Sequence, residues 1–381
     1  MAKRILILAG SCKSLINFRG AFINSMCEQG HIVEVAAPNI NDNISNLNLL
    51  SDLGVEYHDI ALKRANINPF YDFVTFFSIV RLLKKNNPDL LFCYTIKPVI
   101  YGAFASSLSN VPRCVVLITG LGYAFTGDAT GKRALVKLIV RGLYKFALRR
   151  SSLIFFQNPD DRDDFAKMGL LPKEVPVVIV NGSGVDLDVF KPAPFPQTPL
   201  RFLLIARLLG DKGIREFVSA ANIVKATHPT IEFHLVGGVD SNPDSISEAE
   251  VRSWHESGDI KWHGALDDVR HVIANSHVYV LPSYREGTPR TVLEAMAMGR
   301  PIITTNSPGC RETVVNGYNG FLVPVRSVES LVNVMNYFID KPELVSEMGA
   351  RSFQIAKNKY DVHKVNAKMF KAMELDVETF N

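Results

Sequence analysis

At 381 residues the chain exceeds one ordinary domain and is long enough for two. Apolar residues make up 47% and charged residues 21%, a balance that supports packed cores and excludes a disordered or collagen-like chain. The net charge is only +4, and the basic excess falls in the first half, pointing to phosphates, anionic lipid or nucleic acid as partners there.

In chain order, the opening segment MAKRILILAGSCKS carries an apolar run too short for a signal peptide. It predicts a buried strand over residues 4–9 and a turn at Gly10-Ser11. Arg19 follows in Asn17-Phe18-Arg19. Further short apolar runs at 32–36, 90–93, 114–118, 153–157 and 177–180 predict strands separated by helix-length stretches, the pattern of a parallel sheet covered on both faces. Lys97, in Tyr94-Thr95-Ile96-Lys97-Pro98, and Arg19 are candidates for acceptor or phosphate contacts, with a structural role as the alternative for each. Thr119 and Gly120 open a second backbone loop, Gly120-Leu121-Gly122, which with Gly10 and Ser11 is expected to face a cleft. This loop lacks the third glycine of a dinucleotide fingerprint, and Gly127 to Lys132 lacks the spacing and Ser/Thr of a P-loop.

Residues 132–150, KRALVKLIVRGLYKFALRR, hold seven cations and no acid. On a helical wheel Arg133, Lys137, Arg141, Lys145 and Arg149 fan over one arc. Leu135, Val136, Ile139, Val140, Leu143, Phe146 and Ala147 fill the other, and Leu138, Tyr144 and Leu148 intrude among the cations. Cations interleaved with apolar residues suit an anionic membrane surface; an ordinary basic or RNA-binding helix is the alternative. The five cysteines are odd in number and form no Cys-x-x-Cys pair, so they read as reduced thiols without a disulfide or metal role. Asp161-Arg162-Asp163 and Asp186-Leu187-Asp188 read as solvated carboxylates, so no metal site is predicted. No apolar run reaches the roughly 18 residues of a transmembrane helix.

Four prolines in residues 191–199 exclude helix and central strand and predict a linker there. The domains are then 1–190 and 200–360, with a C-terminal helix at about 360–381 packing back on the first. The second domain predicts strands at 200–206, 231–236, 260–263, 278–281, 301–304 and 320–323, completing an α/β chain of two Rossmann-like doubly wound domains. A ligand is expected between the domains, at the carboxyl ends of the strands. Arg207 follows the first strand of this domain and Lys212 precedes its helix, a pair of cations suited to a leaving diphosphate. Gly237-Gly238 is expected to permit close ligand approach. His263, in Trp262-His263-Gly264, is either a ligand contact or a core histidine.

The segment 279–305 is the most informative. A strand ends at Leu281, a loop carries Glu286 and Gly287, Thr288 is the expected N-cap, and Pro289 opens a helix that stops at Gly299. The amides of Gly287 and Thr288 at such a terminus suit a diphosphate. Glu286 lies just before the helix and Glu294 on its second turn.

This segment resembles the Glu-x7-Glu signature of the family-four retaining glycosyltransferases, which have the GT-B fold. The resemblance implies that Glu286 contacts donor-sugar hydroxyls, Glu294 the ribose, and Arg207 and Lys212 the diphosphate. The residues around them, Gly287, Thr288, Pro289 and Arg290, join the donor site with Gly237, and His263 lies where the family seats the base. Many members place a histidine near the start of the second N-terminal loop; here Thr119 stands there. Ser14-x-x-Asn17-Phe18-Arg19, the Gly-Leu-Gly loop and Glu286-Gly287-x-Pro289 make the chain similar to bacterial enzymes that extend sugars on undecaprenyl-diphosphate. The resemblance implies a UDP-sugar donor, with GalNAc foremost, a lipid-linked saccharide acceptor and no obligatory cofactor. It also implies a place on the inner face of the membrane in O-antigen, capsule or glycan assembly. A sugar-nucleotide epimerase of the same fold and a basic nucleic-acid-binding module are the rival readings.

Overall fold

A computed structural model of the chain describes residues 1–42, 50–52, 54–63, 69–120, 132–197, 199–240, 242 and 244–375. It divides into two compact units, one of Met1–Ser183 with Val362–Asn381 and one of Gly184–Asp361.

The first unit contains a seven-stranded sheet with the order β3-β2-β1-β4-β5-β6-β7. Its strands are β1 (Arg4–Leu8), β2 (Ile32–Ala37), β3 (Glu56–Asp59), β4 (Leu90–Tyr94), β5 (Arg113–Ile118), β6 (Leu153–Phe156) and β7 (Val177–Ile179), all paired in parallel. Ile5, Leu6, Ile7 and Leu8 are completely buried because helices cover both faces of β1. On one face, Leu15 and Phe22 of the Cys12–Glu28 helix share a core with Met369 and Phe370 of the C-terminal Val362–Met373 helix. Phe22 and Phe370 stack at 5.0 Å, which returns the end of the chain to the first unit. On the other face, the helices Pro69–Asn86, Ile96–Leu108 and Lys132–Arg149 contribute Ile79, Val99 and Tyr144 to a second core. β3, with the sequence Glu-Tyr-His-Asp, was not predicted: an edge strand needs no apolar run.

The second unit has a six-stranded parallel sheet, order β10-β9-β8-β11-β12-β13. The strands are β8 (Arg201–Ile205), β9 (Glu232–Val236), β10 (Lys261–Trp262), β11 (Val278–Leu281), β12 (Ile302–Thr305) and β13 (Gly320–Val323). In each unit the strand order reverses once, between β1 and β4 and between β8 and β11. A crevice opens at the carboxyl ends of the strands at such a point.

The chain passes between units at Ser183/Gly184, ahead of the linker expected at 191–199. The proline-rich stretch belongs to the second unit. Val185 and Phe190 enter its core, and the Val185 amide donates to the Tyr360 carbonyl at 2.8 Å. The buried Arg300 guanidinium donates to the carbonyls of Ala193 at 2.8 Å and Pro194 at 3.2 Å and lies 4.5 Å from the Phe195 ring centre. Prolines exclude regular structure there, but their carbonyls still accept hydrogen bonds.

Asp161 departs from its reading as solvated: it is fully buried and accepts from Asn158 Nδ2 at 2.9 Å, while Asn158 caps its helix. Asp186 forms a turn, with Oδ1 accepting from the amides of Asp188 and Val189.

Candidate active site

The loop after β8 is shaped by two glycines. A Cβ on Gly237 would lie 1.9 Å from the Ala206 carbonyl oxygen, so this glycine admits neighbouring backbone, where ligand approach was expected. Gly213 has φ +70° and a Cβ there would lie 2.2 Å from the Pro282 oxygen, so conformation and space both demand glycine. Its tight packing draws the Gly210–Lys212 turn onto the end of β11.

There the Lys212 ammonium meets the Glu286 carboxylate, Nζ to Oε1 at 2.6 Å. Ser283 Oγ donates to the same Oε1 at 2.8 Å. The Tyr284 amide donates to the Asp211 carbonyl at 2.8 Å, tying the two loops together. From the end of β12, Pro308 accepts the Glu286 amide at 3.0 Å. Gly309, at φ +80°, packs so that a Cβ would fall 2.1 Å from the Glu286 carbonyl oxygen. Ser307 Oγ donates to the Ser283 carbonyl at 3.2 Å, and Thr305 Oγ1 does the same. Glu286 is therefore held by loops from three strands. Ser283 was not singled out in the sequence; Pro282-Ser283 and Ser307-Pro308-Gly309 are turn signals at strand ends, which mark loops but not their contacts.

Burial alone would lower the Lys212 pKa, but the carboxylates of Glu286 and Asp211 outweigh it and leave it above its ordinary value, firmly charged. Asp211 is raised by burial, against the opposing pull of Lys212.

Arg207 lies on the same loop but pairs elsewhere, Nη1 to Asp240 Oδ2 at 2.8 Å, and its side chain is half exposed. Its charge still bears on Lys212 and Asp211.

The helix after Glu286 spans Arg290–Ala297. Its N-cap is Pro289 (φ −73°, ψ 108°), one residue later than the expected Thr288. Proline's fixed φ and an extended ψ serve the half-in position, so Gly287 and Thr288 belong to the loop that approaches the helix. Glu294 is buried and accepts from Arg290 Nε at 2.7 Å. Burial raises its pKa and the Arg290 cation opposes that rise. Tyr279 Oη, from β11, lies 2.6 Å from Thr291 Oγ1 and 3.0 Å from the Ile205 carbonyl oxygen, and these hydroxyls together latch this helix to the end of β8. Tyr279 and Thr291 are positioning residues that the sequence pattern did not reveal.

His263 is half-buried, and its side chain meets a second histidine. Its Nε2 lies 3.1 Å from Nδ1 of the buried His234 in mid-β9, and His234 Nε2 lies 3.2 Å from Glu232 Oε2. Its backbone amide donates to the Leu235 carbonyl at 2.9 Å, extending the sheet.

In the first unit, Gly10 and Ser11 follow β1, and a Cβ on Gly10 would lie 2.7 Å from Thr95 Oγ1 after β4. Thr95 is a β-branched residue at φ +69°, a strained conformation at the point where the strand order reverses. Thr119 and Gly120 follow β5, with Gly120 at φ +128°; Gly122 lies outside the described residues. The two acceptor candidates are held by their own unit. Arg19 is 1% exposed beneath Tyr94, 5.5 Å from its ring centre. Lys97 Nζ is 2.6 Å from Asp72 Oδ1 and 2.9 Å from the Lys63 carbonyl oxygen.

The basic helix, Lys132–Arg149, is turned from its wheel. Tyr144 and Leu148, read as intruders among the cations, are buried with Ala147, while Ile139 and Phe146 are exposed. Val140, Tyr144 and Ala147 recur at helical spacing and meet the sheet. Lys145 and Arg149 are exposed, Lys137 is half-buried, and Arg141 donates to the Met168 carbonyl at 3.3 Å. The Arg133 side chain lies outside the described residues. No helix among the described residues is long and apolar enough to cross a membrane. Among them one group, Glu34, Glu56 and His58, brings three potential metal-ligating atoms together. Glu34 Oε2 already meets His58 Nε2 at 2.9 Å and accepts from Asn86.

Residues 186–354 match the model of glycosyl transferases group 1, and residues 8–158 that of glycosyl transferase 4-like proteins. The chain is 28% identical over 367 residues to the N,N'-diacetylbacillosaminyl-diphospho-undecaprenol alpha-1,3-N-acetylgalactosaminyltransferase of Campylobacter jejuni, covering 93% of this chain and 94% of that protein. It is 29% identical over 296 residues to the UDP-Gal:alpha-D-GlcNAc-diphosphoundecaprenol alpha-1,3-galactosyltransferase of Escherichia coli, covering 71% of each. Among solved structures, sucrose-phosphate synthase of Thermosynechococcus elongatus aligns over 98% of this chain and 99% of its own (TM-score 0.80, 17% identity). Anabaena HepE in complex with UDP and glucose aligns over 98% and 100% (TM-score 0.77, 17% identity). With both units matched by transferase models and the two parallel sheets shared with these structures, the chain belongs to the family-four glycosyltransferases of GT-B fold.

Proposed function

We propose that this glycosyltransferase moves a hexosyl or N-acetylhexosaminyl group, GalNAc foremost, from a UDP-sugar to an undecaprenyl-diphosphate-linked saccharide, with retention of anomeric configuration. The observation that carries the reading is the Lys212–Glu286 pair, 2.6 Å apart where β8 and β11 meet. One N–H of Lys212 engages Glu286; an ammonium has two more to offer phosphate oxygens. With Arg207 on the same loop it stabilises the charge that develops on the leaving diphosphate. Glu286, fixed by Lys212 and Ser283, positions the donor sugar. Glu294, oriented by Arg290, holds the ribose. The acceptor hydroxyl attacks as the glycosidic bond breaks, and its proton passes to the leaving phosphate oxygen. This route needs neither a carboxylate nucleophile nor an obligatory metal, unlike paired-carboxylate glycosidases.

Both relatives' names specify diphospho-undecaprenol acceptors, which supports a lipid-linked saccharide and a peripheral position on the inner membrane face. A screen of UDP-sugars against a synthetic prenyl-diphosphate-sugar tests the proposal. The expected result is one UDP-sugar consumed to give an α-linked product by NMR. A β-linked product, or isomerised UDP-sugar without transfer, would overturn it.

A further inference from the structure

The exposed side of the Pro69–Asn86 helix has an unusual composition. Phe73 is 61% exposed, Val74 40% and Phe77 48%, and Phe70 precedes them at 70%. Phe73 and Phe77 pack together at 4.5 Å, forming one aromatic ridge. The same stripe continues at helical spacing through the exposed Arg81, Lys84 and Lys85. One stripe is therefore apolar in its first half and cationic in its second, with about 15 Å between the centres at 1.5 Å per residue. The helix's only acid, Asp72, is paired with Lys97.

The Lys132–Arg149 helix adds exposed apolar and basic residues on the same side of the sheet, since both helices bury their inner faces in one core. Leu138 and Ile139, 66% and 53% exposed, lie in its first half. Lys145 and Arg149 are exposed in its second half. In a parallel αβ unit each helix begins near the carboxyl ends of the strands. The aromatic ridge of the first helix and Leu138 and Ile139 of the second therefore lie toward the edge where ligands bind, and Arg81, Lys84, Lys85, Lys145 and Arg149 lie farther from it; Lys137, half-buried, and the exposed Phe146 fall outside this division.

The structure assigns this shared face to an anionic lipid bilayer, with Phe73, Val74, Phe77, Leu138 and Ile139 entering the interface and Arg81, Lys84, Lys85, Lys145 and Arg149 meeting lipid phosphate. A ridge of this size exposed to water is unfavourable, and its cationic border selects a negatively charged apolar partner. A second copy docked face to face would set these cations against their own kind. The assignment extends the proposed lipid-linked acceptor: it adds an aromatic helix that the basic sequence 132–150 did not reveal.

The test is vesicle flotation of the full chain with phosphatidylcholine alone and with added phosphatidylglycerol. The wild type is expected to float with the anionic vesicles. Phe73→Ser with Phe77→Ser should lower the partition coefficient by about tenfold or more, and Lys84→Glu with Lys85→Glu should remove the anionic preference. Unchanged melting temperatures show that these surface variants are folded, and transfer to a water-soluble short-prenyl acceptor should stay at the wild-type rate. Wild-type flotation by the Phe73/Phe77 variant would overturn the assignment. So would a wild type that ignores vesicles but forms a dimer that the same variant dissociates. If the wild type transfers to no soluble acceptor, the proposed reaction fails, while flotation still decides the surface.

Discussion

Replacing Lys212 by Met separates the two roles assigned to it. At 2.6 Å and an effective dielectric of about 20, its attraction to Glu286 is roughly 6 kcal/mol before desolvation. The side chains are 13% and 18% exposed, so desolvating both offsets much of that gain. The truncation keeps Glu286's desolvation and removes its cation, leaving the Ser283 hydroxyl as a donor at 2.8 Å. We expect a loss of about 3 kcal/mol, the lower end for a broken buried pair. For a unit of this size that lowers the melting temperature by roughly 6–12 °C. Lys212→Met with Glu286→Gln should recover about 1–2 kcal/mol, because a neutral amide is less costly to bury than an unpaired carboxylate. Transfer should fall by about 10²–10³-fold in the single variant and stay low in the double, since the diphosphate loses the same cation in both. Thermal melts with transfer assays on all four proteins close the cycle. The reasoning is refuted if Lys212→Met melts with the wild type, if the double variant melts no higher than the single, or if Lys212→Met transfers at the wild-type rate.

Three further expectations follow from the same geometry. Glu286→Gln keeps the shape and both donors, so UDP affinity should survive by calorimetry while kcat/KM drops by about 10²-fold or more; full activity would defeat the sugar-positioning role. Arg300→Met should destabilise by about 3–5 kcal/mol in chemical denaturation, because Ala193, Pro194, Ile273, Ala274 and Met298 all lose a buried guanidinium donor; an unchanged midpoint would show that the 193–195 segment is held otherwise. Burial, then the neighbouring His263, pulls His234 from near 6.5 to about 4. The unfolded histidine takes up its proton first, so this contribution to stability is present above pH 6.5 and is lost as pH falls toward 4. His234→Gln should lose less melting temperature than the wild type between pH 7.5 and 5, and equal losses would remove the histidine pair from the acid response.

Much of the fold was legible because parallel strands buried on both faces read as continuous apolar runs. Twelve runs named from the sequence correspond to strands, whereas β3, Glu-Tyr-His-Asp at a sheet edge, carries no such signal. The glutamates of 279–305 were legible from a local pattern, a strand, a Gly-Thr-Pro loop and a short helix. Ser283 and Tyr279 were not, because their partners come from other strands.

The sequence by itself determined the alternation of strand and helix, the family signature and the identity of the charged residues near it. Local periodicity and turn chemistry act over a few residues and are written there directly. Only the tertiary structure decided which loops meet. Strand order, which depends on long-range pairing, sets β8 beside β11 and so makes Lys212 the partner of Glu286, while Arg207 turns to Asp240. It also turned Tyr144 and Leu148 inward and bound the proline stretch to the second unit through Arg300. Those choices rest on which surfaces bury most apolar area and satisfy most carbonyls, a competition across the whole chain.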